Sequence, residues 1–145
     1  MSFQFPLDSV LRFRRTVEER EEAALQKIVH EIALIFENLE RIEDRILKSQ
    51  AARLAEVFKP LTGLELHASY GEVSALRQCR KELMEQVKKL ERARDEQMNV
   101  YEAARRDREL LTSMHDKKRV AYESDRNRRA QKLLDDVYLA RRSRF

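Results

Sequence analysis

The sequence predicts an all-α protein, two long helices forming an antiparallel coiled-coil hairpin, and three observations carry that prediction. Large aliphatic residues at Leu25, Ile28, Ile32, Ile35, Leu39, Ile42 and Ile46 recur at alternating steps of three and four, the repeat of a helix that packs along its length against another. Only two Gly and two Pro occur in 145 residues, at Pro6, Pro60, Gly63 and Gly71, leaving two uninterrupted blocks around one central break. Charged residues make up 39% and aromatics 7%, with no Trp, a composition that favours a long helical assembly over a broad globular core.

The chain reads in order as follows. Met1 to Pro6 is an extended lead-in with two exposed aromatics, Phe3 and Phe5. Asp8 or Ser9 is placed to cap a first helix, since a short oxygen-bearing side chain accepts bonds from the free amides of the first turn. That helix is expected from about Asp8 to Phe58, stopping before Pro60, which has no amide to donate. Leu7, Val10, Leu11, Phe13 and Val17 open its apolar set, and Glu18, Glu19, Arg20, Glu21 and Glu22 interrupt it. The regular heptads begin at Leu25, and after Ile46 the pattern shifts by one to Leu47, Leu54, Val57 and Phe58.

Residues 59–69 form the expected connection, with Leu61, Leu64 and Leu66 able to plug the end of a helix pair. Ser69-Tyr70-Gly71-Glu72 matches a capping box, in which hydroxyl and carboxylate bond each other's backbone amides. It sets the expected second helix at about 70–142. The seam of that helix is Val73, Leu76, Leu83, Val87, Leu90, Met98, Tyr101, Ala104, Leu111 and Tyr122, with Arg80, Arg94 and Arg108 where a perfect repeat would be apolar. A short connection makes the helices antiparallel. With facing residue numbers adding to about 129, Ile46 meets Leu83, Leu39 meets Leu90 and Leu25 meets Ala104. Residues 122–145 then extend past the start of the first helix as an unpaired overhang.

Charge is concentrated in that overhang. Ten basic and four acidic residues lie between Lys117 and Phe145, a net +6 in a chain whose total is +4, so the remainder carries −2. Leu133, Leu134, Val137 and Tyr138 share turns with the basic residues. An apolar and basic helix with no partner calls for a protein partner rather than nucleic acid, because Asp135 and Asp136 interrupt the positive stripe and no aromatic residues interleave with it.

Chemistry is not written into this chain. His30, His67 and His115 are far apart and have no neighbours at metal-ligand spacing. No phosphate loop, nucleophile turn or apolar-set carboxylate pair occurs, so no catalytic residue, metal or cofactor is expected. Cys79 reads as a small apolar filler beside the seam. It has no partner cysteine, and Met1 to Pro6 has neither a basic start nor an apolar run, so a reducing cytoplasm is the expected compartment. Val29 and Phe36, seven apart on the flank of the first helix with Ala33 between them, are either isolated exposed residues or a docking stripe for another protein or a second copy.

Both ends resemble the FliJ family of the bacterial flagellar type III export apparatus. The opening Phe3-Gln-Phe5-Pro-Leu7-Asp-Ser-Val10-Leu11-Arg-Phe-Arg14 and the closing Arg126-Asn-Arg-Arg129-Ala-Gln131-Lys132-Leu-Leu134-Asp135-Asp136 are similar to the family's terminal patterns, Leu133 standing where a Glu is common. The resemblance implies a stalk similar to that of the F1 ATPase gamma subunit. Its partners would be the flagellar export ATPase hexamer, the cytoplasmic domain of the export gate and export chaperones. Its place would be the cytoplasmic face of the cell membrane at the flagellar base. Matching the terminal motifs carries ATPase-ring binding onto Leu7, Val10, Leu11, Arg14, Arg126, Arg129, Lys132, Leu134 and Asp136. The equivalent stalk of a non-flagellar secretion system, and a plain structural or nucleic-acid-binding coiled coil, are the alternatives.

Overall fold

The computed structural model describes residues 2–55 and 62–144. They hold two helices packed against each other with no strand, α1 over Asp8–Ala55 and α2 over Gly63–Ser143. The expected end of the first helix near Phe58, the stop at Pro60, the plug at Leu61 and the tail of the phase shift at Val57 and Phe58 lie outside the described residues. Among the described residues no helix is long and apolar enough to cross a membrane.

The chain divides into a middle unit, Glu22–Val100, and a terminal unit, Met1–Glu21 with Tyr101–Phe145. In the middle unit the core is the heptad set Leu25, Ile32, Leu39 and Ile46 on α1 with Val73 and Val87 on α2, all buried. The second line of the seam, Ile28, Ile35 and Ile42, is half-buried. Two helices alone bury one line fully and the other in part, because a facing helix covers only one stripe. The line does not shift after Ile46. Leu47 and Leu54 are exposed, and the next heptad position is Arg53, which is half-buried. Its guanidinium lies 4.0 Å from the ring centre of Tyr70, and Nη2 donates to the Ser69 hydroxyl at 3.1 Å.

That contact overturns the expected start of α2. Ser69 lies inside the helix, and Thr62 is the cap: its hydroxyl accepts from the amide of Glu65 at 3.2 Å and its carbonyl from the amide of Leu66 at 3.1 Å. Thr62-Gly63-Leu64-Glu65 and Ser69-Tyr70-Gly71-Glu72 both fit the capping pattern, and the chain uses the first. Starting α2 at Gly63 instead of Tyr70 moves it by seven residues, one whole heptad. Cross-helix partners accordingly have numbers adding to 117 at Arg45–Glu72, 121 at Arg14–Asp107, 122 at Arg53–Ser69 and 126 at Glu18–Arg108. The expected 129, with Ile46 facing Leu83 and Leu25 facing Ala104, is replaced by a value near 122. A slip of one heptad keeps every apolar line in phase, which is why periodicity alone cannot detect it.

Candidate partner-binding surface

In the terminal unit the same heptad line changes character. Leu11 is 2% exposed and Ala104 is buried, and between them the repeat places Glu18 on α1 and Arg108 on α2. Arg108 Nε donates to Glu18 Oε2 at 2.6 Å and Nη2 to Oε1 at 3.1 Å, a bidentate pair whose side chains are 26% and 14% exposed respectively. The bond from Arg108 holds the Glu18 carboxyl below its usual range, against a smaller opposing effect of burial, and the same bond raises Arg108. Glu18 is therefore a half-buried, ion-paired member of the seam rather than an interruption of it. Arg14 makes a longer pair with Asp107, at 3.3 Å.

Beyond α1 the lead-in folds back onto α2. Phe5 is buried, with its ring edge-on to His115 at 5.2 Å and Lys118 Nζ 5.7 Å from its centre. Phe3 lies 5.4 Å from His115 and 5.5 Å from Tyr122. The two aromatics thus continue the α1 side of the seam for two more heptad positions, where the sequence alone suggested exposed residues. The expected capping by Asp8 is also replaced. Asp8 is the first helical residue, its amide donates to the Phe5 carbonyl at 3.1 Å, and its carboxylate bridges Arg12 at 2.8 Å. Met98, expected in the seam, is exposed, and Gln97 takes the inward position. Cys79 is exposed as well.

From Glu123 to Arg144 every residue is exposed. This stretch is helical and amphipathic: Ala130, Leu133, Leu134, Val137 and Tyr138 fall at i, i+3, i+4, i+7 and i+8, one face of a helix. Arg129, Lys132 and Asp136 fall on another, at i, i+3 and i+7. The residues singled out from the closing motif are thereby split. Leu134 belongs to the apolar face, Lys132 and Asp136 to the charged one, and Arg126 shares the Leu133 side.

Of the opening residues, Leu7 and Arg14 are half-buried, Val10 is 39% exposed, and Leu11 is enclosed. Leu11 acts from beneath, by holding α1 to α2. Three residues that sequence reasoning did not single out for binding join Val10. Heptad geometry puts Phe13 on the same flank of α1, and Leu110 and Met114 on the matching flank of α2. All three are exposed, Phe13 at 62% and Leu110 at 63%. A signal was available, since Phe13 sits two positions from a core Leu and cannot share its face. No group of three or more His, Cys, Asp or Glu among the described residues could hold a metal ion.

No curated protein and no solved structure matches the chain. The family description "Flagellar FliJ protein" matches residues 3–144, from the aromatic lead-in to the last described residue of the overhang, and the chain belongs to the FliJ family.

Proposed function

We propose that this flagellar export component is a non-enzymatic stalk that binds the export ATPase hexamer through its terminal unit and promotes the ring's assembly and activity. The observation that supports the reading most strongly is the exposed amphipathic and basic end of α2, residues 123–143, together with the exposed apolar Val10 and Phe13 of α1. Exposed Leu, Val and Tyr residues in one helix cost free energy in water unless a partner covers them. The basic residues around them steer that partner toward an acidic surface.

On this reading Leu7, Val10, Arg14, Arg126, Arg129, Lys132, Leu134 and Asp136 contact the ring, and Leu11 supports them from within. Contacts to the cytoplasmic domain of the export gate and to export chaperones belong to the same proposal, as does a position in the cytoplasm beside the membrane, held through these partners. Selective binding of the assembled ring would shift the ATPase toward the hexamer by differential affinity. Turnover and hexamer fraction of the export ATPase, with and without this protein, test the assignment. Truncation after Tyr122 should abolish both effects while leaving the hairpin helical, and unchanged stimulation by the truncated chain would refute it.

A further inference from the structure

We infer that the middle unit carries a second, independent interface, a self-complementary flank through which two copies of this chain pair side by side. Its apolar centre is Phe36, 45% exposed, and Met84, 41% exposed, with Val29 beside them. In an antiparallel pair the heptad places Val29 and Phe36 of α1 on the same flank as Met84 of α2. A groove on that flank, lined by Gln50, Tyr70, Arg77 and Lys81 among others, confirms which edges of the two helices share it.

Charge decides what covers this flank. Its α1 edge presents Glu40 and Glu43, and its α2 edge presents Arg77, Lys81 and Lys88, all exposed. None of the five makes an ion pair with another described residue, whereas on the opposite flank Arg45 is paired with Glu72 at 3.7 Å. Between Phe36 and Glu43 on α1 and Arg77 and Lys88 on α2 the flank is thus acidic along one edge, basic along the other and apolar between, with those charges left open, while the next positions on the same α2 lines, Glu91 and Asp95, are acidic. A two-fold axis parallel to the helices lays α1 of one copy over α2 of the other. Cross-helix partners within this unit have numbers adding to 117 at Arg45–Glu72 and 122 at Arg53–Ser69, so Glu40 and Lys81, whose numbers add to 121, lie at about the same height. The axis therefore brings Glu40 against Lys81 of the partner subunit, and Phe36 against Met84 of the partner subunit. A two-fold perpendicular to the helices would instead stack acidic edge on acidic edge. The occupant the surface fits is a second copy in parallel orientation, giving a four-helix arrangement.

The test is sedimentation equilibrium of the full chain up to millimolar concentration, with circular dichroism on every variant to confirm helicity. A concentration-dependent monomer–dimer equilibrium is expected. Phe36→Glu should weaken it roughly tenfold or more, as loss of a central apolar anchor does. Lys81→Glu should weaken it, and Glu40→Lys combined with Lys81→Glu should restore it, because the exchanged charges meet again across the two-fold. A monomer at all concentrations overturns the inference. A dimer that survives Phe36→Glu, or a double exchange that fails to restore association, overturns the assigned face or its orientation.

Discussion

The middle and terminal units are built on one heptad repeat and use it for different ends. In the middle unit the inward positions of α1 hold Leu25, Ile32, Leu39 and Ile46, residues of similar shape that gain by burial and have no preference among equivalent partners. In the terminal unit the same positions hold Leu11 and Glu18, facing Arg108, His115 and Tyr122, with Phe3 and Phe5 closing over the last two. Aliphatic heptads supply cohesion. Charged and aromatic groups at equivalent positions supply identity, because a carboxylate accepts only certain neighbours. The difference teaches that a regular coiled coil is the less informative part of such a chain, and that departures from regularity mark where a particular arrangement is required.

The largest test of this contrast is in the middle unit. Leu39→Ala removes a buried side chain from a thin core and should cost about 2–3 kcal/mol, at the low end for such truncations because a two-helix interface can close partly over the gap. Urea unfolding followed by circular dichroism measures it, and a cost below about 0.5 kcal/mol would contradict the heptad core.

In the terminal unit Glu18→Ala leaves a half-buried guanidinium without its partner and should cost about 1–2 kcal/mol. Replacing both members by Leu should recover most of that loss, since two charges would then no longer be desolvated. The pair also has a pH signature. Arg108 lowers the folded pKa of Glu18, so the ionised carboxylate is the stabilising form. Its contribution is complete above the ordinary carboxylate range and is lost as pH falls through the lowered folded value. The stability difference between the wild-type chain and Glu18→Gln should therefore be constant near neutrality and shrink in acid.

Smaller effects sharpen the comparison from the other side. Gly71 lies inside α2 with nothing within 4 Å of where a Cβ would stand. Gly71→Ala should stabilise the middle unit by about 0.5–1 kcal/mol, read as a higher urea midpoint. Leu134→Ala in the overhang should change stability least, by under about 0.5 kcal/mol, because the side chain is 64% exposed. On the proposed ring-binding role its effect falls on stimulation of the export ATPase, and a large stability loss there would mean that the overhang is packed in the free chain.

The helical hairpin and its core lines were legible in the sequence because periodicity is a local property that tertiary contacts merely reuse. The start of α2 was not. Two threonine or serine capping patterns lie seven residues apart, at Thr62 and Ser69, and nothing in their own residues ranks one above the other. Only the long-range contact of Arg53 with Ser69 and Tyr70 settles it. Glu18 was passed over for a related reason, since a search for aliphatic repeats treats a carboxylate as a gap even where an arginine waits across the seam. Phe5 looked exposed because a lead-in outside any helix has no period to predict its facing. The apolar face and the basic charge of residues 123–144 follow from spacing and composition, but the expected start of the overhang at 122 does not hold, because Tyr122 packs on Phe3 with ring centres 5.5 Å apart.

The Glu18–Arg108 bridge has one more consequence. A row of equivalent leucines and isoleucines resembles a ruler whose marks are all alike, on which displacement by seven residues cannot be seen. The bridge is the unlike mark. Displacing α2 by seven residues in either direction would set Glu18 against Tyr101 or His115 and leave Arg108 without its carboxylate. The misaligned hairpin would then hide an uncompensated charge, so a single ionic pair lifts a degeneracy that the whole aliphatic row leaves in place.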